Sequence, residues 1–245
     1  MSLNLHKKIS AALKFKLIKN KKHPTANTHL INLINHYNID LVLDVGANNG
    51  GFGTALRTEG YKGDIHSFEP VSKTHHELTK ITAQDAKWQV HKLALGETCS
   101  EQSINVTESS DLASFLDASE FGKHVYKQNL TVAHQEIVTV STVDEFLANE
   151  IDDLKERKIF LKMDTQGYDT YVIKGASASM NLICCVLSEI SFFPLYEGMP
   201  HYLESLNTYE NLGLAVTGLY PISRKKDLSV IEMDCMLINK TNSHD

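Results

Sequence analysis

Acidic side chains stand in or directly after four apolar segments of this sequence. Asp44 lies in LVLDV, Glu69 in DIHSFEP, Asp164 in KIFLKMD and Glu189 in ICCVLSEIS. In an open α/β sheet, ligands bind beyond the carboxyl ends of the strands. If these segments are strands of one sheet, all four carboxylates are expected to face one crevice. Carboxylates placed there could hold a cation, accept hydrogen bonds from hydroxyl groups or remove a proton.

The glycine-rich loop after Asp44 fits neither common phosphate-binding loop. No Lys-Ser or Lys-Thr pair follows its glycines, and Asn48 and Leu56 stand where a dinucleotide fingerprint needs glycine. The loop does match D-x-G-x-N-x-G, through Asp44, Gly46, Asn48 and Gly50. An acidic residue before the loop would repel a pyrophosphate. It suits a ligand with a cationic end, such as the amino group and sulfonium of S-adenosylmethionine (SAM).

Glu69 could bind the sugar of the same ligand. A carboxylate at the end of a second strand can accept hydrogen bonds from both hydroxyls of a ribose. NAD would use that carboxylate in the same way, so Glu69 alone does not distinguish a methyl donor from a nicotinamide cofactor.

Apolar segments and helical segments alternate along the chain, which predicts right-handed crossovers and a mostly parallel sheet covered on both faces. Helices are expected near 27–37 and over 73–82, Val143–Glu150 and 168–180. A third strand is expected over 88–95, and two further strand-like runs over 102–107 and 136–142. The polar stretch between these two runs could cover the active site, with Ser110 and Asp111 near an acceptor, or be a surface insertion.

Composition is ordinary for a globular protein, with 42% hydrophobic and 22% charged residues. The net charge of -6 argues against a nucleic-acid partner. Residues 1–39 contain seven lysines and no acidic residue, so this segment carries +7 and the remainder -13. We therefore expect a basic helical extension over 1–39 and a single α/β domain over 40–245.

The basic extension begins with an apolar row, Leu5, Ile9, Leu13 and Leu17, at the spacing of an amphipathic helix. Such a helix could dock on the domain, rest on an anionic membrane surface or bind a partner. The four cysteines fit no metal-ligand spacing, and Cys184 and Cys185 lie in an apolar run. With no long apolar stretch and no leader-like segment, we expect a cytoplasmic protein or one that is peripheral to a membrane.

Six blocks of this sequence resemble the FkbM family of methyltransferases. They are DVGANNG, FEP, LALGE, VSTVDEFL, LKMDTQGYDTYVIKGA and LSEISFFPLYEG, and they occur in the order and spacing of that family over residues 40 to about 240. The resemblance implies a class I Rossmann-like methyltransferase fold. Its sheet would have seven strands, mostly parallel, with the last one antiparallel, and the methyl donor would be SAM.

The resemblance also implies positions for the cofactor. Glu69 would take the ribose, the LALG stretch near Ala94 would border the adenine, and Asp164 would lie beside the methionine end near the reacting methyl group. The methionine portion would be held by the loop residues Asp44, Gly46, Asn48 and Gly50. Where the family often has glutamate this chain has Gln166, so we assign that residue no proton transfer.

An O-methyltransferase acting on a hydroxyl of a glycan, glycolipid or natural product is the leading interpretation, with Asp164 and Glu189 as candidate general bases. Asp169 could join these two around a metal, but an acidic residue at a helix start is the simpler explanation, and no metal is expected. The alternatives are a nicotinamide-dependent oxidoreductase and a non-catalytic Rossmann-like binding module. The sequence indicates neither the acceptor nor an oligomeric state.

Overall fold

The computed structural model describes residues 24–108 and 112–242, which fold into two sheets with helices around them. The strands are β1 (Leu41–Val45), β2 (Asp64–Phe68), β3 (Trp88–His91), β4 (Ala94–Leu95), β5 (Ser100–Thr107), β6 (Val132–Ser141), β7 (Ile159–Met163), β8 (Ile183–Ser191), β9 (Leu214–Arg224) and β10 (Val230–Asn239). The helices are α1 (Ala26–His36), α2 (Gly51–Thr58), α3 (Ser72–Thr82), α4 (Glu120–Tyr126), α5 (Val143–Glu150), α6 (Asp169–Lys174) and α7 (Tyr202–Asn211). Short 3₁₀ turns cover Lys127–Leu130, Leu154–Glu156, Met180–Leu182 and Lys240–Asn242.

The main sheet has seven strands in the order β3-β2-β1-β7-β8-β10-β9. β1, β2, β3, β7 and β8 pair in parallel, and β10 runs antiparallel to both β8 and β9. The predicted class I methyltransferase fold is thereby confirmed, including the antiparallel last strand of the chain. The order reverses between β1 and β7, where a ligand site is expected.

The central strands β1, β7 and β8 are mainly apolar, as is typical of strands that are buried on both faces. In β1, Leu41, Leu43 and Val45 lie in one core with residues of α5 and α6, whereas Val42 lies in the opposite core with residues of α1, α2 and α3. Each fully buried side chain of this kind stabilises the fold by about 1.5–3 kcal/mol. The sheet is thus a rigid support, and the loops beyond its strands carry the site.

Two predicted elements differ from the structure. The strand expected over 88–95 is divided, because the chain leaves the main sheet after His91 and β4 pairs with β6 instead. β4, β6 and β5 form a separate three-stranded sheet. The helix expected over 168–180 ends at Lys174, and a 3₁₀ turn follows at Met180–Leu182.

Helix α1 lies within residues 1–39, the range that the sequence predicts to be an extension. α1 buries Leu30, Leu33 and Ile34 in the core that also contains residues of β1 and β10. A domain boundary at residue 40 stays a prediction, and the basic helix expected around Leu5 to Leu17 lies outside the described residues. In the described part of the chain, no helix combines the length and the apolarity needed to cross a membrane.

Candidate active site

A cleft of about 670 Å³ opens at the carboxyl ends of β1, β2 and β7. Five of the residues predicted to bind a cofactor line it, and they are Gly46, Asn48, Glu69, Ala94 and Asp164. The far side is closed by Ile104 of β5 and by three residues from the segment between β5 and β6, which are Ala113, Ser114 and Phe115. We call this space the first cleft.

Gly46 allows the loop after β1 to touch the loop after β7. Its φ is +71°, and a Cβ atom built on it would lie 2.0 Å from the backbone oxygen of Asp164. Gly50 also has a positive φ, of +76°, but its missing Cβ would meet Leu78 and Trp88 rather than the cleft. Gly46 is therefore a wall of the first cleft, whereas Gly50 serves the packing of α2 behind it.

Glu69 presents its carboxylate at the floor of the first cleft. One oxygen accepts the N–H of Asn48 at 2.9 Å and the other that of Val71 at 3.0 Å. The residue is only 6% exposed, and burial raises the pKa of its carboxyl to about 7 in spite of these hydrogen bonds. A buried carboxylate with acceptor capacity left over suits a ligand that brings hydroxyl donors.

The other half of the first cleft is apolar and aromatic. Ala94 lies there with Leu95 and Ile104, and the rings of Phe115 and Tyr168 stand 4.9 Å apart between centroids. A flat, weakly polar group fits such a slot better than a charged one. The first cleft thus has one end for a ring and another, at Gly46 and Asp164, for polar groups.

Asp44 does not line the first cleft. It is fully buried, and its two oxygens contact the Ser67 hydroxyl at 3.0 Å and the Lys162 ammonium at 3.1 Å. Trp88 in turn donates its indole N–H to the Ser67 oxygen. A direct contact between Asp44 and a cofactor stays a prediction, while the structure gives this residue two protein partners.

Lys162 is a site residue that sequence reasoning missed. Its ammonium also donates to the carbonyl of Gly46 at 2.8 Å and lies 3.8 Å from an Asp164 oxygen. Burial opposes its charge, but Asp44 and Asp164 outweigh that effect and raise its pKa. The available signal was a single lysine in the otherwise apolar strand IFLKM, since a buried charge requires a partner.

A second cleft of about 900 Å³ adjoins the first, and Asp164 and Gln166 line both. The prediction of one crevice for four carboxylates is therefore wrong in detail, because Glu189 faces this second cleft. Glu189 lies inside β8, paired with Asp234 of β10, because the strand continues to Ser191. The remaining lining comprises Leu112, Tyr126, Lys162, Met163, Leu187, Ile222, Glu232 and Asp234.

Negative side chains dominate the second cleft. Burial raises the pKa of Glu189 well above its ordinary value, and the nearby charges of Asp164 and Glu232 raise it further. Burial likewise raises the pKa of Asp234 to about 6. Glu232 is held by the hydroxyls of Tyr126 at 3.0 Å and Ser223 at 3.1 Å. Because their pKa values are raised, Glu189 and Asp234 bind protons more readily than ordinary carboxylates do.

Asp169 begins α6 as the sequence predicts, and it ties two strand ends together. One oxygen accepts the backbone N–H of Thr165 at 2.9 Å, and the other accepts the Ser188 hydroxyl at 2.7 Å and the Glu189 N–H at 3.1 Å. These bonds fix the loop after β7 relative to β8. Within residues 24–108 and 112–242, no three His, Cys, Asp or Glu side chains are grouped to hold a metal. Ser110 and Asp111 lie outside the described residues.

Comparison with known families identifies most of this chain. Residues 44–213 match the family described as "Methyltransferase FkbM domain". That range contains the first cleft's glycine loop, Glu69, Asp164 and Glu189. No protein of curated function matches the sequence.

Solved structures of similar architecture include several methyltransferases. The magnesium protoporphyrin IX methyltransferase of Synechocystis PCC 6803, solved with bound SAM, has a TM-score of 0.48 at 9% identity, over 87% of this chain and 77% of that one. The plantazolicin methyltransferase BamL, in complex with a triazolic desmethylPZN analog and S-adenosylhomocysteine (SAH), has a TM-score of 0.49 at 8% identity, over 87% of this chain and 82% of that one. A TehB-like SAM-dependent methyltransferase of Corynebacterium glutamicum has 0.41 at 10%, over 97% and 96%.

Proposed function

Because the chain belongs to the FkbM methyltransferase family and is a SAM-dependent methyltransferase, we propose that it methylates a hydroxyl oxygen of a glycan, glycolipid or natural product. One observation carries this proposal. A cleft containing a buried carboxylate meets a second cleft lined by carboxylates, and Asp164 lines both. A donor and an acceptor could therefore meet there.

The residues of the first cleft fit the groups of SAM. The Glu69 carboxylate would accept the ribose hydroxyls, and the apolar slot around Ala94 would take the adenine. Gly46, Asn48 and Asp164 line the end that would receive the methionine portion. Gly50 and Asp44 do not line the cleft but would support this loop. Gly50 packs against Trp88, and Asp44 contacts Lys162.

When bound, SAM supplies an electrophilic methyl group on a positively charged sulfur. The protein's contribution is mainly alignment of the acceptor in a dry site, and well-oriented reactants can gain about 7–11 kcal/mol in this way. A hydroxyl acceptor must also lose a proton. Glu189 could accept that proton because it lines the second cleft, where the acceptor would bind, and burial raises its pKa and so makes its ionised carboxylate a stronger base.

Asp164 would act at the junction itself. Its side chain is 45% exposed and borders both clefts, so it can meet the cationic end of the cofactor and the acceptor. Either Asp164 or Glu189 could then take the hydroxyl proton. Their separate positions allow the two roles to be distinguished by substitution.

The proposal can be tested with SAM carrying a labelled methyl group and a panel of oligosaccharides, glycolipids and hydroxylated natural products. We expect label on an oxygen of one class, identified by mass spectrometry and NMR. With that acceptor, Glu189→Gln should lower kcat by about 10²–10⁴-fold. Its affinity for SAH should stay within about twofold of wild type, because Glu189 does not line the first cleft.

Two results would contradict the proposal. Label on a nitrogen or carbon atom would exclude O-methylation, and an unchanged kcat in Glu189→Gln would exclude Glu189 as the base. Asp164→Asn, which keeps the size of the side chain, would then show whether Asp164 accepts the proton.

A further inference from the structure

Gln166 stands in the wall between the two clefts and contacts both sides of it. Its side-chain Nε2 donates to an oxygen of Asp164 at 3.0 Å, and its Oε1 accepts the hydroxyl of Tyr196 at 2.9 Å. Tyr196 is buried in the cluster formed by the segment around α4 and the loop after β8. One amide therefore joins the carboxylate shared by the clefts to that cluster.

An amide is suited to this position because its two neighbours make opposite demands. An ionised Asp164 can only accept a hydrogen bond, whereas the Tyr196 hydroxyl here acts as the donor. An ionised glutamate at position 166 would accept from Tyr196 but would repel Asp164 instead of donating to it. This chain thus carries a side chain that satisfies both partners.

The backbone is also held in the conformation that directs this amide. Gln166 has a φ of +53°, a region that residues other than glycine seldom adopt. Its carbonyl accepts the Ser114 hydroxyl at 2.8 Å. Gly167 follows with a φ of +91°, where a Cβ would approach Met199 to 3.0 Å. Contacts with two other segments thus fix the turn.

Asp164 is consequently held from two directions. Gln166 donates to Oδ1, while the Lys162 ammonium lies 3.8 Å from Oδ2 on the opposite side. Lys162 also binds the Gly46 carbonyl, so it is part of the cofactor loop. Of these two neighbours, Gln166 makes the shorter contact, and its side chain links Asp164 to Tyr196.

We propose that Gln166 is a positioning residue for methyl transfer, which orients the Asp164 carboxylate toward the sulfonium of bound SAM and anchors it to Tyr196. The proposal rests on the proposed function, since it assumes that this end of the first cleft receives the methionine portion. It implies that Gln166 matters more for cationic SAM than for SAH, whose sulfur is neutral.

Calorimetric titrations with SAM and with SAH test this directly. We expect Gln166→Leu to weaken SAM binding about tenfold, because a hydrogen bond to a charged group is lost, and SAH binding less than about threefold. In an Asp164→Asn background the same substitution should change SAM affinity less than about twofold, because the carboxylate to be oriented is gone. Tyr196→Phe should weaken SAM binding about threefold in wild type and have no effect in Gln166→Leu.

The controls separate this inference from the proposed function. Gln89→Leu, on the exposed side of edge strand β3, should change neither affinity. If Gln166→Leu fails to fold, as judged by circular dichroism, Gln166→Met replaces it with an unbranched side chain of similar length. Equal weakening of SAM and SAH, or additive effects with Asp164→Asn, would overturn the positioning role. A wild-type protein that binds neither compound would overturn the proposed function instead.

Discussion

Lys162 is the residue that balances charge beneath the first cleft. It is 8% exposed and neutralises Asp44, which is completely buried. Removing one partner of a buried pair strands the other charge, which typically costs about 3–5 kcal/mol. We therefore expect Lys162→Met to lower the free energy of unfolding by about that amount in urea denaturation.

Two matched variants show whether this loss comes from the pair. Lys158→Met, at an exposed position of the same segment, should change the free energy of unfolding by less than about 0.5 kcal/mol. The double variant Asp44→Asn with Lys162→Met should cost less than the sum of the single changes, because no charge is then left unpaired. Strict additivity would show that Lys162 and Asp44 do not interact.

Glu69 predicts a pH dependence of cofactor binding. Burial raises its pKa to about 7, so the ionised form that accepts ribose hydroxyls is incomplete in acid. The affinity for SAH should therefore rise about tenfold from pH 6 to pH 8 and level off above pH 8. Glu69→Gln cannot titrate, so calorimetry on this variant should give weaker binding with no such rise. The same pH profile in both proteins would remove Glu69 from the ribose site.

At the level of elements, the close approach of the loops after β1 and β7 depends on Gly46. In Gly46→Ala the new methyl group would collide with the Asp164 backbone oxygen. Gly60→Ala is the matched control, since its φ of +92° carries a similar backbone penalty but nothing lies within 4 Å. We expect Gly46→Ala to destabilise the protein by about 1–3 kcal/mol more than Gly60→Ala, measured by thermal or urea unfolding. Equal losses would mean that the loops do not touch.

The pairing of β2 with β3 carries a stability term that depends on pH. His66 and His91 stack with centroids 5.1 Å apart and share a hydrogen bond of 3.0 Å. Burial, and then the neighbouring His91, lower the pKa of His66 to about 4. Because the unfolded chain binds this proton near pH 6.5, the stabilisation is complete above pH 6.5 and is lost as pH falls toward 4.

We therefore expect His66 to lower the free energy of unfolding by up to about 3 kcal/mol as the pH falls from 6.5 to 4. His66→Asn can keep the hydrogen bond to His91 without titrating. The difference in unfolding free energy between wild type and this variant should therefore shrink as pH is lowered. A difference that stays constant from pH 7 to pH 4 would show that His66 is not the cause.

Local pattern predicted the elements well wherever burial decides them. β1 and β8 begin and end at the expected residues because their apolar runs are buried on both faces. The run over 88–95 has the same pattern throughout, yet it changes sheet after His91. That change depends on β6, some 40 residues later, which no local pattern at 88–95 reveals.

At the scale of the whole molecule, the sequence predicted that these carboxylates lie near the strand ends. It did not predict which of them line the first cleft, which line the second and which are buried. Asp44 lies next to the glycine loop in sequence, and its burial follows from Lys162, which is far away along the chain but adjacent in the sheet. Glu189 lies inside β8 opposite Asp234 of β10, and both residues line the second cleft. Pairing across the sheet, rather than residue type, sets both outcomes.

Binding of SAM in the first cleft through Glu69 can be measured by thermal unfolding with SAH. At a hundredfold excess over its dissociation constant, SAH should stabilise the wild-type protein by about 2.7 kcal/mol. For a chain of this length, that corresponds to a rise in Tm of about 5–10 °C. Glu69→Gln should lose most of this rise at the same SAH concentration. No rise with SAH, or a rise with NAD in its place, would contradict the account.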